Sequence, residues 1–99
     1  MINATSAQSE LSATALSLND GRFTFRIMGT AIAKAKIQIF DLNGQTIYES
    51  GFVATNALRW DGLSQGGARV ANGVYLYVVT IKGYNEEIQI VHGKLVVMH

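Results

Sequence analysis

A glycine-rich loop that leads without a break into a long apolar strand constrains the fold of this chain more than any other feature. Residues 74–81 are almost all β-branched, aromatic or otherwise apolar, which is typical of a buried strand. The loop before them follows the single tryptophan, Trp60, and glycines supply the positive φ angles that tight, irregular loops need. We expect positive φ at its four glycines, Gly62, Gly66, Gly67 and Gly73. The segment predicts an all-β domain, and it prepares no nucleophile, base or metal ligand.

Length and composition narrow the class of protein further. The 99 residues suffice for one domain with a core of its own and are too few for two. The formal net charge of +1 gives no reason to expect nucleic acid or an anionic membrane as a partner. The absence of cysteine excludes disulfides, thiolate metal sites and thiol nucleophiles.

From its sequence we expect neither a membrane-spanning nor a targeting segment in this chain. No run approaches the roughly 18 consecutive apolar residues of a membrane span, so we predict no membrane insertion. Residues 1–16 also lack the basic start and the apolar run of a signal peptide. If the domain works outside the cytoplasm, we therefore expect it to be a fragment of a larger precursor.

Hydrophobic alternation predicts seven strands. Phe23, Phe25 and Ile27 alternate with polar neighbours, as the residues of a half-buried strand do. Residues 1–12 show no such period and are rich in Ser, Ala, Thr and Gln, so we predict a flexible amino-terminal linker before a domain over 13–99. The strands are expected at 13–18, 22–27, 34–40, 45–49, 57–60, 73–82 and 87–97.

Two details of strand pairing are also predicted. Asn43 and Gly44 lie between two strand-like runs, and this pair is the strongest short-range hairpin signal, because both central residues of a type I′ turn need positive φ. In the last strand we expect a β-bulge at Gly93, which would turn two apolar sets of opposite parity towards the same core. These sets are Ile88 and Ile90 against Leu95 and Val97.

Three motifs occur along the chain in a recognisable order. They are the segment from Lys36 to Ile47, the Trp60-Asp61-Gly62 turn, and the strand start Asn72-Gly73-Val74-Tyr75-Leu76-Tyr77. In this order they resemble the immunoglobulin-like domain of the flagellar hook-capping protein. The resemblance covers residues 23–97 and implies an immunoglobulin/fibronectin-III-like sandwich, which about seven antiparallel strands also suit. The closing residues 91–97 resemble the version of this module that is associated with secretion.

The resemblance implies a non-catalytic role. Modules of this family serve assembly in hook caps, or act as carboxy-terminal accessory, sorting or anchoring domains of exported enzymes. We therefore expect a protein-interaction, anchoring or assembly module of a larger secreted or cell-surface bacterial protein, with no enzymatic activity and no cofactor. Its expected partners are proteins, either other domains of the parent chain or the surface or secretion machinery.

Eight residues are predicted to specify the fold rather than to act on a ligand. Trp60 could stack on a sugar ring, but a lone tryptophan beside a turn in a small sandwich is more often a core side chain. The other seven form or flank the turns of the three motifs. The set comprises Asn43, Gly44, Trp60, Asp61, Gly62, Gly73, Val74 and Tyr75.

The residues that could carry chemistry have simpler interpretations. Asp61 could bind calcium together with Asp41 or Asn43, but calcium needs six to eight oxygens and no acidic cluster supplies them. Capping of a turn through backbone N–H groups is favoured for Asp61. His92 and His99 are far in sequence from any acidic or serine motif, so we predict no metal site and no catalytic residue.

The strand at 73–82 is apolar on both faces, and one face must point away from the core. An exposed apolar sheet face is a candidate binding surface, and the alternative is a set of rings that shield an open face without a partner. The predicted partner surface consists of Tyr75, Tyr77, Val79 and Ile81.

Two other functions compete with this interpretation. A carbohydrate-binding module needs two or more exposed aromatic rings in one plane, and polysaccharide is then the partner. The candidate rings are Tyr48, Tyr75, Tyr77 and Tyr84. A self-associating structural subunit would instead pair its terminal strand with an exposed sheet edge of a neighbouring copy.

Overall fold

The computed structural model describes residues 12–18, 22–28 and 32–98. These residues form seven strands and no helix, so the all-β prediction is confirmed. The predicted linker at 1–12 lies outside the described residues except for Ser12, and it stays a prediction. The strands are β1 (Ser12–Leu18), β2 (Arg22–Met28), β3 (Ile32–Phe40), β4 (Thr46–Glu49), β5 (Ala57–Trp60), β6 (Gly73–Gly83) and β7 (Ile88–Val97).

The strands make two antiparallel sheets. One sheet has three strands in the order β1-β2-β5, and the other has four in the order β4-β3-β6-β7. Their inner faces share one core, in which Phe25 of the first sheet lies against Tyr77 of the second with ring centroids 5.0 Å apart. This two-layer arrangement is the predicted immunoglobulin/fibronectin-III-like sandwich.

Burial follows the parity of each strand, because successive side chains of a strand point to opposite faces. In β3, the inward residues Ala35, Ile37 and Ile39 are all 0% exposed, while Lys36 and Gln38 between them point outwards. The core is entirely hydrophobic in the part of the chain that the structure describes. Its members are Phe23, Phe25, Ile27, Ala35, Ile37, Ile39, Leu58, Trp60, Val70, Tyr75, Val79, Ile81, Leu95 and Val97.

The turn between β3 and β4 differs from the predicted type I′ turn. Gly44 has a φ of +85°, but Asn43 does not have a positive φ. The Gly44 N–H donates to the Asp41 carbonyl at 3.0 Å, and the Asp41 carboxylate accepts from the N–H groups of Asn43 and Gln45, each at 2.9 Å. The type I′ prediction is therefore wrong. Asp41 instead stabilises a different common type of hairpin loop, in which a turn is followed by a single glycine in the left-handed conformation.

The predicted bulge at Gly93 is also wrong. β6 and β7 pair in one unbroken register from Gly73↔Val97 to Lys82↔Ile88, with Gly93 directly opposite Tyr77. A Cβ on Gly93 would lie 2.6 Å from Oη of Tyr77. The glycine therefore makes room for the tyrosine ring rather than for an inserted residue.

The regular register has a direct consequence for the two apolar sets of β7. Leu95 and Val97 point into the core at 6% and 0% exposure. Ile88 and Ile90 point to the opposite side and are 61% and 58% exposed. The sheet thus carries apolar residues on its outer side as well as in the core.

Candidate interaction surfaces

Trp60 belongs to the core and is not available to a ligand. The side chain is 1% exposed, because it stacks on Phe23 with ring centroids 5.7 Å apart and meets Tyr75 edge-on at 6.1 Å. Its Nε1–H donates to the Leu63 carbonyl at 2.8 Å. The core interpretation of Trp60 is therefore confirmed, and the hydrogen bond ties the glycine-rich loop to the end of β5.

The glycine-rich loop folds back on itself as a small hairpin. An antiparallel bridge joins Leu63 to Arg69, and Val70, which follows, is buried at 8% exposure. The loop closes one end of the sandwich in this way. Positive φ angles occur as predicted at Gly62, Gly67 and Gly73, but not at Gly66.

Tyr75 fastens the far end of the same loop. Its Oη donates to the Ala71 carbonyl at 2.7 Å, and the ring is 9% exposed. A tyrosine near the start of such a strand that bonds back to the chain a few residues upstream is the tyrosine corner of immunoglobulin-like sandwiches. Trp60 and Tyr75 together therefore hold both ends of the loop.

The turn-capping role predicted for Asp61 belongs to another aspartate. Asp61 lies 3.9 Å from Nε of Arg22, with both side chains exposed, and the carboxylate that caps a turn is Asp41 instead. Among the described residues no group of His, Asp and Glu could hold a metal ion. His92 lies on the outer side of β7, and His99 is outside the described residues.

The predicted partner surface lies on the wrong side of β6. Tyr75, Val79 and Ile81 are 9%, 0% and 1% exposed, and Tyr77 packs on the same core. They cannot form an exposed patch, so this prediction is corrected. The residues of β6 do alternate between two faces, as predicted. Because both faces are apolar, the alternation alone does not tell which of them turns inwards.

The side of the four-stranded sheet that points away from the core is hereafter called the outer face. Sheet register sets its side chains in rows across β3, β6 and β7, for example Phe40, Leu76 and Lys94, followed by Gln38, Val78 and His92. Its members are Lys34, Lys36, Gln38 and Phe40 of β3, Glu49 of β4, Val74, Leu76, Val78, Thr80 and Lys82 of β6, and Ile88, Ile90, His92, Lys94 and Val96 of β7.

A groove of about 300 Å³ runs along the outer face. Phe40, Leu76 and Val78 give its wall an apolar part, and Tyr77, His92, Gly93 and Lys94 complete the lining. The exposed residues Val74 and Val96, at 39% and 52%, extend the apolar area towards one end of the sheet.

The four tyrosines proposed for carbohydrate do not form a platform. Tyr75 is buried, and Tyr48 and Tyr77 pack against the core. Tyr84 is 76% exposed, in the turn between β6 and β7. A polysaccharide site on rings in one plane therefore has no support in the geometry of these residues.

Comparison with known proteins decides the family of this sandwich. Residues 10–96 match the model of the family described as the CHU_C type IX secretion signal domain. The chain belongs to this family. No curated protein matched the chain, and the described residues include no helix long and apolar enough to cross a membrane.

Solved structures share the fold of this type IX secretion signal domain. Dimeric latent PorU from Porphyromonas gingivalis is 19% identical, with a TM-score of 0.69 over 90% of this chain and 9% of PorU. PorZ, an essential bacterial surface component of the type-IX secretion system of P. gingivalis, is 18% identical, with a TM-score of 0.57 over 98% of this chain and 12% of PorZ. CopC from Methylosinus trichosporium OB3b is 20% identical, with a TM-score of 0.57 over 87% of this chain and 84% of CopC.

The family assignment refines the expected function. A type IX secretion signal domain is a non-catalytic sorting or accessory module of secreted and cell-surface proteins, so the domain belongs outside the cytoplasm. The expected secretion-associated role is thus confirmed in its general form. The comparisons give no support to the flagellar hook-capping assignment.

Proposed function

We propose that this chain is the export signal of a larger protein, read by a protein of the type IX secretion machinery, and that it leaves the parent protein on the cell surface or outside the cell. The observation that carries the proposal is the family match over residues 10–96, which spans nearly the whole sandwich. The fold shared with a domain of PorZ, itself a surface component of that system, supports it.

The structure suits a role in which the domain is recognised as a folded unit. The core is closed at one end by a loop that Trp60 and Tyr75 fasten through hydrogen bonds. A rigid scaffold of this kind can present a surface to a partner with little loss of conformational freedom on binding. No residue has to take part in a chemical step.

The experiment that tests the proposal is a transplantation. The full chain is fused to the carboxyl end of a reporter enzyme that already reaches the periplasm, in a bacterium with a type IX secretion system. We expect reporter activity in the medium or on intact cells, and its retention in a strain that lacks the system. Equal release of the reporter without the domain, or release that does not depend on the system, would refute the proposal.

A further inference from the structure

The outer face carries much more positive charge than the net charge of the whole chain indicates. The sequence has four lysines, Lys34, Lys36, Lys82 and Lys94, and all of them lie on this face. Among the strand residues that the structure describes there, one acid, Glu49, shares the face, and it pairs with Lys36 at 3.8 Å. The outer face is therefore strongly cationic although the whole chain is nearly neutral.

Two of these lysines occupy directly opposite positions on neighbouring strands. Lys34 lies directly opposite Lys82 in the pairing of β3 with β6, and like charges at directly opposite positions repel each other. Lys34 and Lys36 direct their ammonium groups at the Phe52 ring, 5.2 and 5.1 Å from its centroid. Lys82 makes no ion pair with any described residue. A carboxylate supplied from outside could therefore pair with Lys82 and offset the positive charge of Lys34 opposite it.

The acidic residues nearest to Lys82 in sequence do not provide that charge. Glu86 and Glu87 lie in the turn between β6 and β7, and the Glu87 carboxylate accepts from the side-chain amide of Asn85 at 3.2 Å. Glu86 is held at a φ of 69° and forms no ion pair within the described residues. Lys82 therefore remains open to a partner, whereas Lys36 already pairs with Glu49.

The same rows of side chains carry apolar area next to the lysines. Ile88 and Ile90 lie beside Lys82 and Thr80 on the exposed side of β7, and the groove walled by Phe40 and Leu76 follows along the sheet. A volume of about 300 Å³ takes one or two large apolar side chains. Apolar contact and positive charge are thus combined within one face.

We infer that the outer face docks a partner protein through a segment that presents apolar side chains flanked by carboxylates. The partner's apolar side chains enter the groove beside Leu76 and cover Ile90, and its carboxylates pair with Lys82 and Lys34. If the proposed export function holds, this partner belongs to the secretion machinery. The inference about docking itself rests only on the residues of the outer face.

Two other occupants fit the face less well. A second copy of the chain would bring lysines against lysines, which electrostatic complementarity disfavours. An anionic membrane would attract the lysines, but binding at a membrane interface commonly adds tryptophan or tyrosine rings at the level of the headgroups, and the outward residues of these strands include neither. Carboxylates with apolar neighbours on a protein satisfy both properties of the face.

The test uses the full chain and two synthetic peptides, followed by NMR chemical-shift changes of backbone amides. One peptide alternates Glu with Phe and Leu, and the matched peptide has Lys in place of every Glu. We expect the acidic peptide to shift the amides of β6 and β7 around the groove, and the basic peptide to shift none. Shifts on β2 and β5, or equal binding of both peptides, would overturn the inference.

Three variants sharpen the result. Lys82→Glu should weaken the binding of the acidic peptide roughly threefold or more, because an exposed charge pair is lost and reversed. Ile90→Glu changes a side chain that is 58% exposed, so the fold should survive while the peptide binds more weakly. Arg59→Glu makes the same charge change on the opposite sheet and should leave binding unchanged. Equal effects of Lys82→Glu and Arg59→Glu would refute a specific face.

Two parallel measurements address the other occupants. Binding to phosphatidylglycerol vesicles without binding to the acidic peptide would overturn the inference in favour of a membrane surface. Dimerisation in sedimentation experiments that Ile90→Glu abolishes would overturn it in favour of a second copy. Neither assay involves export, so failure of the docking inference and failure of the proposed signal function can be told apart.

Discussion

Trp60 joins the core to the loop that closes it, and the effect of its removal follows from these contacts. Truncation to alanine removes a buried indole, its stacking on Phe23 and its hydrogen bond to the Leu63 carbonyl. We expect Trp60→Ala to lower the free energy of unfolding by about 3–5 kcal/mol, measured by urea denaturation. Tyr84→Ala is the control, since a side chain that is 76% exposed should contribute less than about 0.5 kcal/mol. Equal effects of the two substitutions would show that Trp60 does not specify the fold.

The hydroxyl group of Tyr75 allows a finer test, because only one atom has to be removed. Tyr75→Phe keeps the ring against Trp60 and deletes the hydrogen bond to the Ala71 carbonyl. The expected loss is about 1 kcal/mol of unfolding free energy, the net value of one such bond. Thermal denaturation measures this loss, with Tyr84→Phe as the matched control. A variant as stable as the parent would mean that the tyrosine corner does not hold the loop.

At the scale of elements, the pairing of β6 with β7 depends on a residue that has no side chain. Gly93 makes room for the Tyr77 side chain, because a Cβ there would lie within 2.9 Å of two ring atoms and of the hydroxyl oxygen of Tyr77. We expect Gly93→Ala to displace the ring from Phe25 and to destabilise the domain by about 1–3 kcal/mol, in the manner of an overpacked core. Denaturant unfolding gives the value.

A double-mutant cycle separates this explanation from a general preference for glycine. In the Tyr77→Ala background the ring is absent, so Gly93→Ala should cost much less than it does in the parent chain. An unchanged cost would mean that Gly93 serves the backbone and not the tyrosine. The cycle therefore tests whether the glycine at position 93 is needed to make room for the Tyr77 ring.

The strands could be predicted from the sequence because each strand of a sandwich has one inward face. The alternation of apolar and polar residues along the strand shows which residues belong to that face. Phe23 and Phe25, and Ile37 and Ile39, carry this pattern within a few residues. The wrong predictions concern relations between elements. Which face of β6 turns inwards, and what lies opposite Gly93, depend on neighbours that are distant along the chain.

The outer face illustrates the same limit for a candidate site. Lys34 and Lys82 are 48 positions apart in the sequence, yet they are direct partners across β3 and β6. The net charge of +1 averages over both sheets, so it gave no sign that the lysines gather on one face. Only the register of the sheet brings this feature together.

For the whole molecule, the fold and the composition together predict the folding kinetics. All-β sandwiches form mainly non-local contacts, and such domains fold in milliseconds to seconds. The sequence has no proline and no cysteine, which removes the two usual causes of slower phases, prolyl isomerisation and disulfide exchange. We expect refolding after stopped-flow dilution from urea to lack a phase of tens of seconds, however long the chain has been unfolded.

A single substitution supplies the control for this prediction. Leu42 is the second residue of the turn at 41–44 and is 63% exposed, a position where proline is well tolerated in common turns. Leu42→Pro should therefore fold to the same structure and acquire a slow refolding phase of about 10–30% of the amplitude, the cis fraction of an unfolded X–Pro bond. That phase should grow with the time spent in urea in double-jump experiments. A slow phase of this kind in the parent chain would require another slow step in folding, such as the assembly of the two sheets themselves.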